Sequence, residues 1–413
     1  MVVLPSTLCG RAAGAPFTRL RVMTTSSQVR VPGPTAVSER ALGPDIARGF
    51  MLLFIALANS HYFLRGTTVL GGYPRGGSAL DSAVTWTVAT FVDGRAFPMF
   101  GLLFGYGVAQ IVRRHDALGK WPVRRLLWRR SLVLVVVGFA HAMLLYVGDI
   151  LAAYGVLLFF GAFAVRWRSR WLVILAACFF LLTALPSDAS LSTSSAAPDA
   201  SALPPDLSTM FTSRIGVQPF VMLLGPIGFA CPFLIGLIVG RLRVLERPER
   251  YRRLLATTAA VGIGAAVLGA QPVSLMLAGV TGVPDASTLE LIGPLHGATG
   301  VLGGFGYAAI ITLLADRLGR RRGPIVTAVA ATGQRSMTCY LAQSTVWALA
   351  FTPFLLDLSG TLTVATTALL ATATWIATVV LADRMRRAGN RGPFELLVRR
   401  VTYRGGAAGG RAR

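Results

Sequence analysis

Residues 113–170 read RRHDALGKWPVRRLLWRR, SLVLVVVGFAHAMLLYV, GDILAAYGVLLFFGAFAV and RWRSR. Two apolar runs, 131–147 and 149–165, meet at the tight turn Tyr146-Val147-Gly148-Asp149, and each leads away into a cluster of Lys and Arg. A bilayer core of about 30 Å takes roughly 20 mostly apolar helical residues, because only a helix satisfies its own peptide groups where no water reaches. Basic residues resist translocation and gather in cytoplasmic loops. This stretch therefore reads as a membrane hairpin with both ends on the cytoplasmic side.

The same reading extends along the chain of 413 residues, of which 54% are hydrophobic and only 14% charged, with a mean hydropathy of +0.62. Such a composition does not suit a water-soluble globule. Ten segments are apolar enough to be expected as spans: 46–64, 95–112, 131–147, 149–165, 170–186, 217–240, 254–280, 292–315, 336–356 and 361–382. The apolar stretch 83–92 is expected along the outer interface. Loop 113–130 carries seven Lys or Arg, 166–170 three, 241–253 six and 316–323 four, whereas the intervening loops hold Arg65, Arg75 and Arg214. The alternation gives an all-α, polytopic transmembrane bundle of about ten spans with both termini cytoplasmic.

A basic cytoplasmic tail without a packed core is expected at 1–39, although Met23 offers an alternative start, and a flexible tail at 405–413. The tail at 1–39 lacks the continuous 7–15-residue apolar core of a cleavable signal peptide. Between them, 40–404 forms one membrane domain. The outer loop at about 187–216, rich in Ser, Ala and Pro, reads as a linker or as a mobile cover over an outward site. The formal charge of +23 follows from topology and attraction to anionic headgroups, so the bilayer is the expected partner and nucleic acid is not. Loop 113–130, with Arg124, Arg125, Arg129 and Arg130, is the best candidate for a phosphate-bearing ligand. Cys9, Cys178, Cys231 and Cys339 are scattered, so neither a disulfide framework nor a metal site is expected. No Walker loop, HExxH or GxSxG occurs.

Ionisable groups within spans are costly and usually face the bundle interior, which makes them functional candidates. They fall in two layers. Asp45, Arg48, Gln334 and Arg335 lie toward the cytoplasm and are candidates for holding a cofactor or co-substrate. Asn59, His61, Asp93, Arg95, His141, Asp149 and His296 lie toward the outside. Asp45 and Arg48 are three apart and can pair on one helix, and Asn59, eleven residues on, shares a face with Arg48. His61 points away from Asn59 unless the helix has ended. His141 and Asp149 come to one depth across the turn; a carboxylate that orients an imidazole is the usual arrangement of a general base, while Asp149 is equally a good helix cap. Asp93 and Arg95 can neutralise each other, and His115 is expected to be solvated. Gly101 with Gly105, and Gly236 with Gly240, allow close helix packing.

Several motifs in order resemble those of the DUF418, or YeiB-like, membrane proteins: Asp45-Ile46-Ala47-Arg48-Gly49; Phe97-Pro98-Met99-Phe100-Gly101-Leu102-Leu103-Phe104-Gly105-Tyr106-Gly107; and Gly148-Asp149-Ile150-Leu151 with Tyr154. Gly333-Gln334-Arg335-Ser336 running to Ser344, then Gly392-Pro393-Phe394-Glu395 with Arg399-Arg400-Val401-Thr402-Tyr403, complete the set, over roughly 40–404. That family is similar to the transmembrane acyltransferases, the acyltransferase-3 and heparan-alpha-glucosaminide N-acetyltransferase group. The resemblance implies transfer of an acyl group from a cytoplasmic acyl-CoA to an extracytoplasmic sugar or lipid. Asn59 stands where acyltransferase-3 proteins carry a histidine, no histidine precedes Asp93 where the heparan enzyme has one, and Cys339 replaces a usual Asn. Under this reading His141, Asp149 and His61 are catalytic, Asn59, Asp93, Arg95 and His296 contact the acceptor, no bound cofactor is expected, and acyl-CoA is the co-substrate. The alternative is a transporter or exporter of a small molecule, lipid or glycan precursor, for which no inverted repeat is evident.

Overall fold

The computed structural model describes residues 41–186, 193–194, 198–319 and 323–403. Both expected tails, part of the outer loop and residues 320–322 lie outside the described residues. Within them the chain forms helices α1 (Leu42–Ser60), α2 (Ala79–Phe91), α3 (Ala96–Arg114), α4 (Lys120–Leu144), α5 (Leu151–Ala164), α6 (Ser169–Thr183) and α7 (Leu207–Leu242). The remainder are α8 (Arg252–Leu277), α9 (Ala286–Leu318), α10 (Pro324–Gln334), α11 (Ser336–Phe351), α12 (Val364–Arg387) and α13 (Pro393–Thr402). A small antiparallel sheet, β1 (Val69–Leu70), β2 (Tyr73–Pro74) and β3 (Thr193–Ser194) in the order β2-β1-β3, ties the expected outer loop to the α1–α2 connection.

A helix stands at each of the ten expected segments. Seven helical stretches are long and apolar enough to cross a membrane: 42–63, 79–114, 120–144, 207–242, 252–277, 286–318 and 364–387; α5 and α6 are shorter apolar helices. Leu132, Val136 and Phe139 on α4, Phe220, Leu223, Leu224 and Ile227 on α7, and Leu369, Ile376 and Val380 on α12 are all exposed. Apolar stripes of this length on outward helix faces would be a liability in water and suit a lipid solvent.

One feature differs from the expectation, and one adds to it. α7 begins at Leu207, ten residues before the expected span, because Asp206 accepts the Thr209 amide at 2.8 Å and caps the extension. α2 is tied to the bundle, packing on α8 and α12; Asp81 completes a capping box with Ser78 and also accepts the Ala365 amide at 2.9 Å.

Small residues set the helix spacing. The two glycine pairs read from the sequence face one another: a Cβ on Gly105 would strike the Phe233 carbonyl of α7, and one on Gly236 would strike the Leu102 carbonyl of α3. α1 occupies the middle, touching α3, α9, α10, α11 and α12. There a Cβ on Gly333 would collide with the Asp45 carbonyl, and the Trp375 indole donates to the Gly49 carbonyl at 2.9 Å. Close approach of α10 to the first turn of α1 is what brings the expected inner polar layer together.

Candidate functional site

At the end of the bundle that carries the basic connections, a cavity of about 310 Å³ enters between α1, α3, α4, α11 and α13. Asp45 and Arg48 on α1 form the expected ion pair at 3.3 Å; Arg48 also donates to the Leu103 carbonyl at 3.2 Å, and Gln334 donates to the second Asp45 oxygen at 2.9 Å. Arg335 occupies the break between α10 and α11. Its guanidinium donates to the Ala331 carbonyl at 3.2 Å and to the Asn390 carbonyl at 3.2 and 2.5 Å, so it binds the last turn of α10 to the segment leading into α13. Six arginines line this cavity, Arg48, Arg114, Arg130, Arg335, Arg391 and Arg399, against the two carboxylates Asp45 and Glu395.

Glu395 stands in the Gly392-Pro393-Phe394-Glu395 motif, whose sequence does not reveal its task. It reaches from α13 to the head of α11, accepting the Met337 amide at 2.8 Å, the Thr338 amide at 3.1 Å and the Thr338 hydroxyl at 2.5 Å. A side chain 57 residues away in sequence thus caps a helix whose own preceding residue, Arg335, supplies no cap. Arg130, at the end of the basic loop singled out for phosphate, lines the cavity. Arg124 lies over the rings of Trp121 and Phe163 at 5.7 and 5.1 Å. His115, expected in solvent, is buried, with Nδ1 2.8 Å from the Ile111 carbonyl at the end of α3. Just outside the spans, Glu246 accepts from Arg113 at 2.5 Å and from Gln110 and Tyr106 at 3.2 Å. Burial raises its pKa, but these bonds together with Arg243 outweigh that and hold it below the usual carboxylate value.

Deeper in, the walls turn apolar, with Met51, Leu52, Ile55, Phe100, Leu103 and Leu134, and the Tyr340 ring is also part of the wall. Against the Tyr340 ring lies the imidazole of His141, with ring centroids 5.1 Å apart. His141 and Asp149 are brought together as the hairpin reading expects: Nδ1 is 2.7 Å from Asp149 Oδ1, and both side chains are buried. Asp149 Oδ2 accepts the Ala152 amide at 2.7 Å, so one carboxylate caps α5 and holds the ring. Because that carboxylate accepts at both oxygens, Nδ1 is the donor, and the neutral ring presents Nε2 as a bare acceptor. Nε2 has no hydrogen-bond partner among the described residues.

The hairpin turn is itself clamped. Arg214 on the early turns of α7, 2% exposed, donates to the carbonyls of Ala142, Met143 and Ser201 at 3.4, 3.1 and 2.9 Å, and Gln218 donates to the Val147 carbonyl at 2.6 Å. The sequence leaves Arg214 in an outer loop; the longer α7 carries it instead into the bundle. Asn59 joins this region by accepting the Tyr146 hydroxyl at 3.3 Å.

The other outer candidates form a separate group. α1 ends at Ser60, and His61 turns off it to stack on Tyr73 at 3.7 Å. The Tyr73 hydroxyl donates to Asp93 at 2.6 Å. Burial and Asp93 raise the Tyr73 pKa well above its ordinary value. Arg95, fully buried, sends its guanidinium to His296 Nε2 at 2.8 Å, to the Ala266 carbonyl at 2.7 Å and to the backbone carbonyl of Asp93, not to the Asp93 carboxylate. His61 therefore stands with Asp93, not with His141. Among the described residues no group of three or more His, Cys, Asp or Glu stands together as metal ligands would.

Residues 239–405 match the family described as "Protein of unknown function (DUF418)". The chain is similar to the "Uncharacterized protein YxaH" of Bacillus subtilis (strain 168), 26% identical over 406 residues, which is 90% of this chain and 96% of that protein. It is also similar to the "Uncharacterized protein YeiB" of Escherichia coli (strain K12), 34% identical over 119 residues, 28% of this chain and 29% of that protein. These matches support the DUF418 family for this chain. The matched region contains Gln334, Arg335, Tyr340 and Glu395, a large part of the cavity wall.

Proposed function

We propose that this is a ten-span protein of the cell membrane, both termini cytoplasmic, that transfers an acyl group from a cytoplasmic acyl-CoA to a sugar or lipid acceptor on the far side. One observation carries the reading: a single cavity has an arginine-lined, basic-side mouth and an apolar depth bordered by Tyr340, whose ring packs on a buried His141–Asp149 pair. A planar guanidinium binds phosphate oxygens in pairs, so several at one mouth suit the phosphates of a coenzyme A. The apolar wall suits the arm that carries the thioester inward. His141 Nε2 takes the proton of an entering hydroxyl or amine in this reading, a contribution of ~10²–10⁴ in rate, and Asp149 stabilises the imidazolium that results. Asp45, Arg48, Gln334 and Arg335 shape the donor end; Asn59, with the outer group of His61, Asp93, Arg95 and His296, belongs to the acceptor side.

The test uses the purified full chain in lipid. Coenzyme A and acyl-CoAs are expected to raise its melting temperature by mass action, and His141→Ala to abolish transfer while keeping that stabilisation. Full transfer by the His141→Ala protein would end the assignment. Movement of solute across sealed vesicles with no acyl-CoA consumed would assign a transporter instead.

A further inference from the structure

We propose that Tyr340 is a catalytic residue of the same site, its hydroxyl donating a hydrogen bond to the acyl carbonyl oxygen as that oxygen becomes negative. This deepens the acyl-transfer reading and rests on it. Tyr340 is 5% exposed and lines the cavity. The Ile150 backbone amide approaches its oxygen, but its O–H donates to no group among the described residues. A buried phenol ordinarily finds a partner, because an unmet polar group costs about 1–3 kcal/mol. The same is true of His141 Nε2, likewise buried and unpartnered. Two groups of opposite sense, a donor O–H and an acceptor nitrogen, thus sit on rings 5.1 Å apart, the Tyr340 ring on the cavity wall and the His141 ring packed against it. An acyl carbonyl with an attacking hydroxyl beside it would satisfy both at once.

The step balances as follows. Nε2 of His141 takes the proton of the acceptor hydroxyl while the acceptor oxygen bonds to the thioester carbon. The carbonyl π pair moves to its oxygen, which the Tyr340 O–H holds. Collapse restores C=O and breaks the C–S bond, and the departing thiolate takes the proton back from His141. The products are the acylated acceptor and free coenzyme A thiol.

Tyr340→Phe keeps the ring and removes only a hydroxyl whose O–H donates to nothing among the described residues, so the variant is expected to fold and to melt close to wild type. Two readouts in lipid nanodiscs follow, on acetyl-CoA labelled with carbon-13 at its carbonyl and with methyl glucoside as acceptor. The infrared carbonyl stretch of bound donor should lie lower than that of free donor in wild type and in His141→Ala, and return to the free position in Tyr340→Phe. Thiol release should fall ~10²–10³-fold in kcat for Tyr340→Phe with KM for acetyl-CoA unchanged. An identical bound-carbonyl stretch in wild type and Tyr340→Phe, or a kcat within threefold of wild type while His141→Ala is inactive, overturns the role of Tyr340 alone. Failure of wild type to bind acetyl-CoA or release thiol overturns the acyl-transfer reading and this inference with it.

Discussion

Alanine at Gly236 tests the α3–α7 seam. Its methyl would sit 2.9 Å from the Leu102 carbonyl carbon and 3.0 Å from the Tyr106 nitrogen, besides striking the Leu102 oxygen; at Gly105 the equivalent approaches are 3.0 Å to the Phe233 carbonyl carbon and 3.0 Å to the Leu237 nitrogen. Restoring ordinary contact at about 3.5 Å requires the helices to part by roughly 0.5 Å at these atoms and by more than about 1 Å at the carbonyl oxygens, a gap that forfeits about half of the dispersion energy along the seam. Overpacking of this kind costs about 1–3 kcal/mol, and the gain in helix propensity returns about 0.5–1 kcal/mol. Each variant should therefore lose about 1–2 kcal/mol. Because both methyls open the same seam, the double variant should lose about 1 kcal/mol less than the sum. Gly264→Ala is the control, since nothing lies within 4 Å of a Cβ there, and it should be neutral or slightly stabilising. Reversible denaturant unfolding in mixed micelles reads all four. Wild-type stability in Gly236→Ala, or strict additivity in the double variant, would show that these glycines do not set the spacing.

Glu395→Ala should cost about 1–2 kcal/mol, seen as a lower melting temperature, because it leaves the Met337 and Thr338 amides uncapped; an unchanged melting temperature would count against the cap. Arg214→Ala should cost about 2–3 kcal/mol and reduce any transfer activity, since it frees the Ala142 and Met143 carbonyls next to His141; stability within error of wild type would refute the clamp. Glu246, whose pKa is held low by Arg113, Gln110 and Arg243 despite burial, contributes stability that is present above the unfolded value near ~4.3 and disappears as pH falls through the lower folded value. The difference in stability between wild type and Glu246→Gln should accordingly be flat above about pH 5 and shrink below about pH 4, and a difference that grows on acidification would reverse the sign argued here.

Most of the helical layout was legible because apolar length and basic loops are written directly in the chain. The His141–Asp149 pair was legible for a related reason: both partners lie on one hairpin whose turn fixes their depth, so eight residues of sequence suffice to place them. Contacts across the bundle were not. Glu395 acts on α11 from another helix, and Arg214 acts on α4 through a helix whose start was expected ten residues later. Tyr340 lies within the 333–344 motif with no role of its own legible there, and only the fold shows its ring against His141 and its O–H without an acceptor. His61 sits at the end of α1, and the three-residue turn after Ser60 swings it toward Tyr73 and away from the histidine it was grouped with.

The capping of α11 by Glu395 also has a temporal side. A ribosome lays down α1, α3, α4 and α11 before it reaches α13, so every other wall of the cavity is synthesised while the amides of Met337 and Thr338 still await their carboxylate. The cavity becomes whole only when that late segment folds back onto its elders, which makes a closed wall a sign that translation has already passed residue 395.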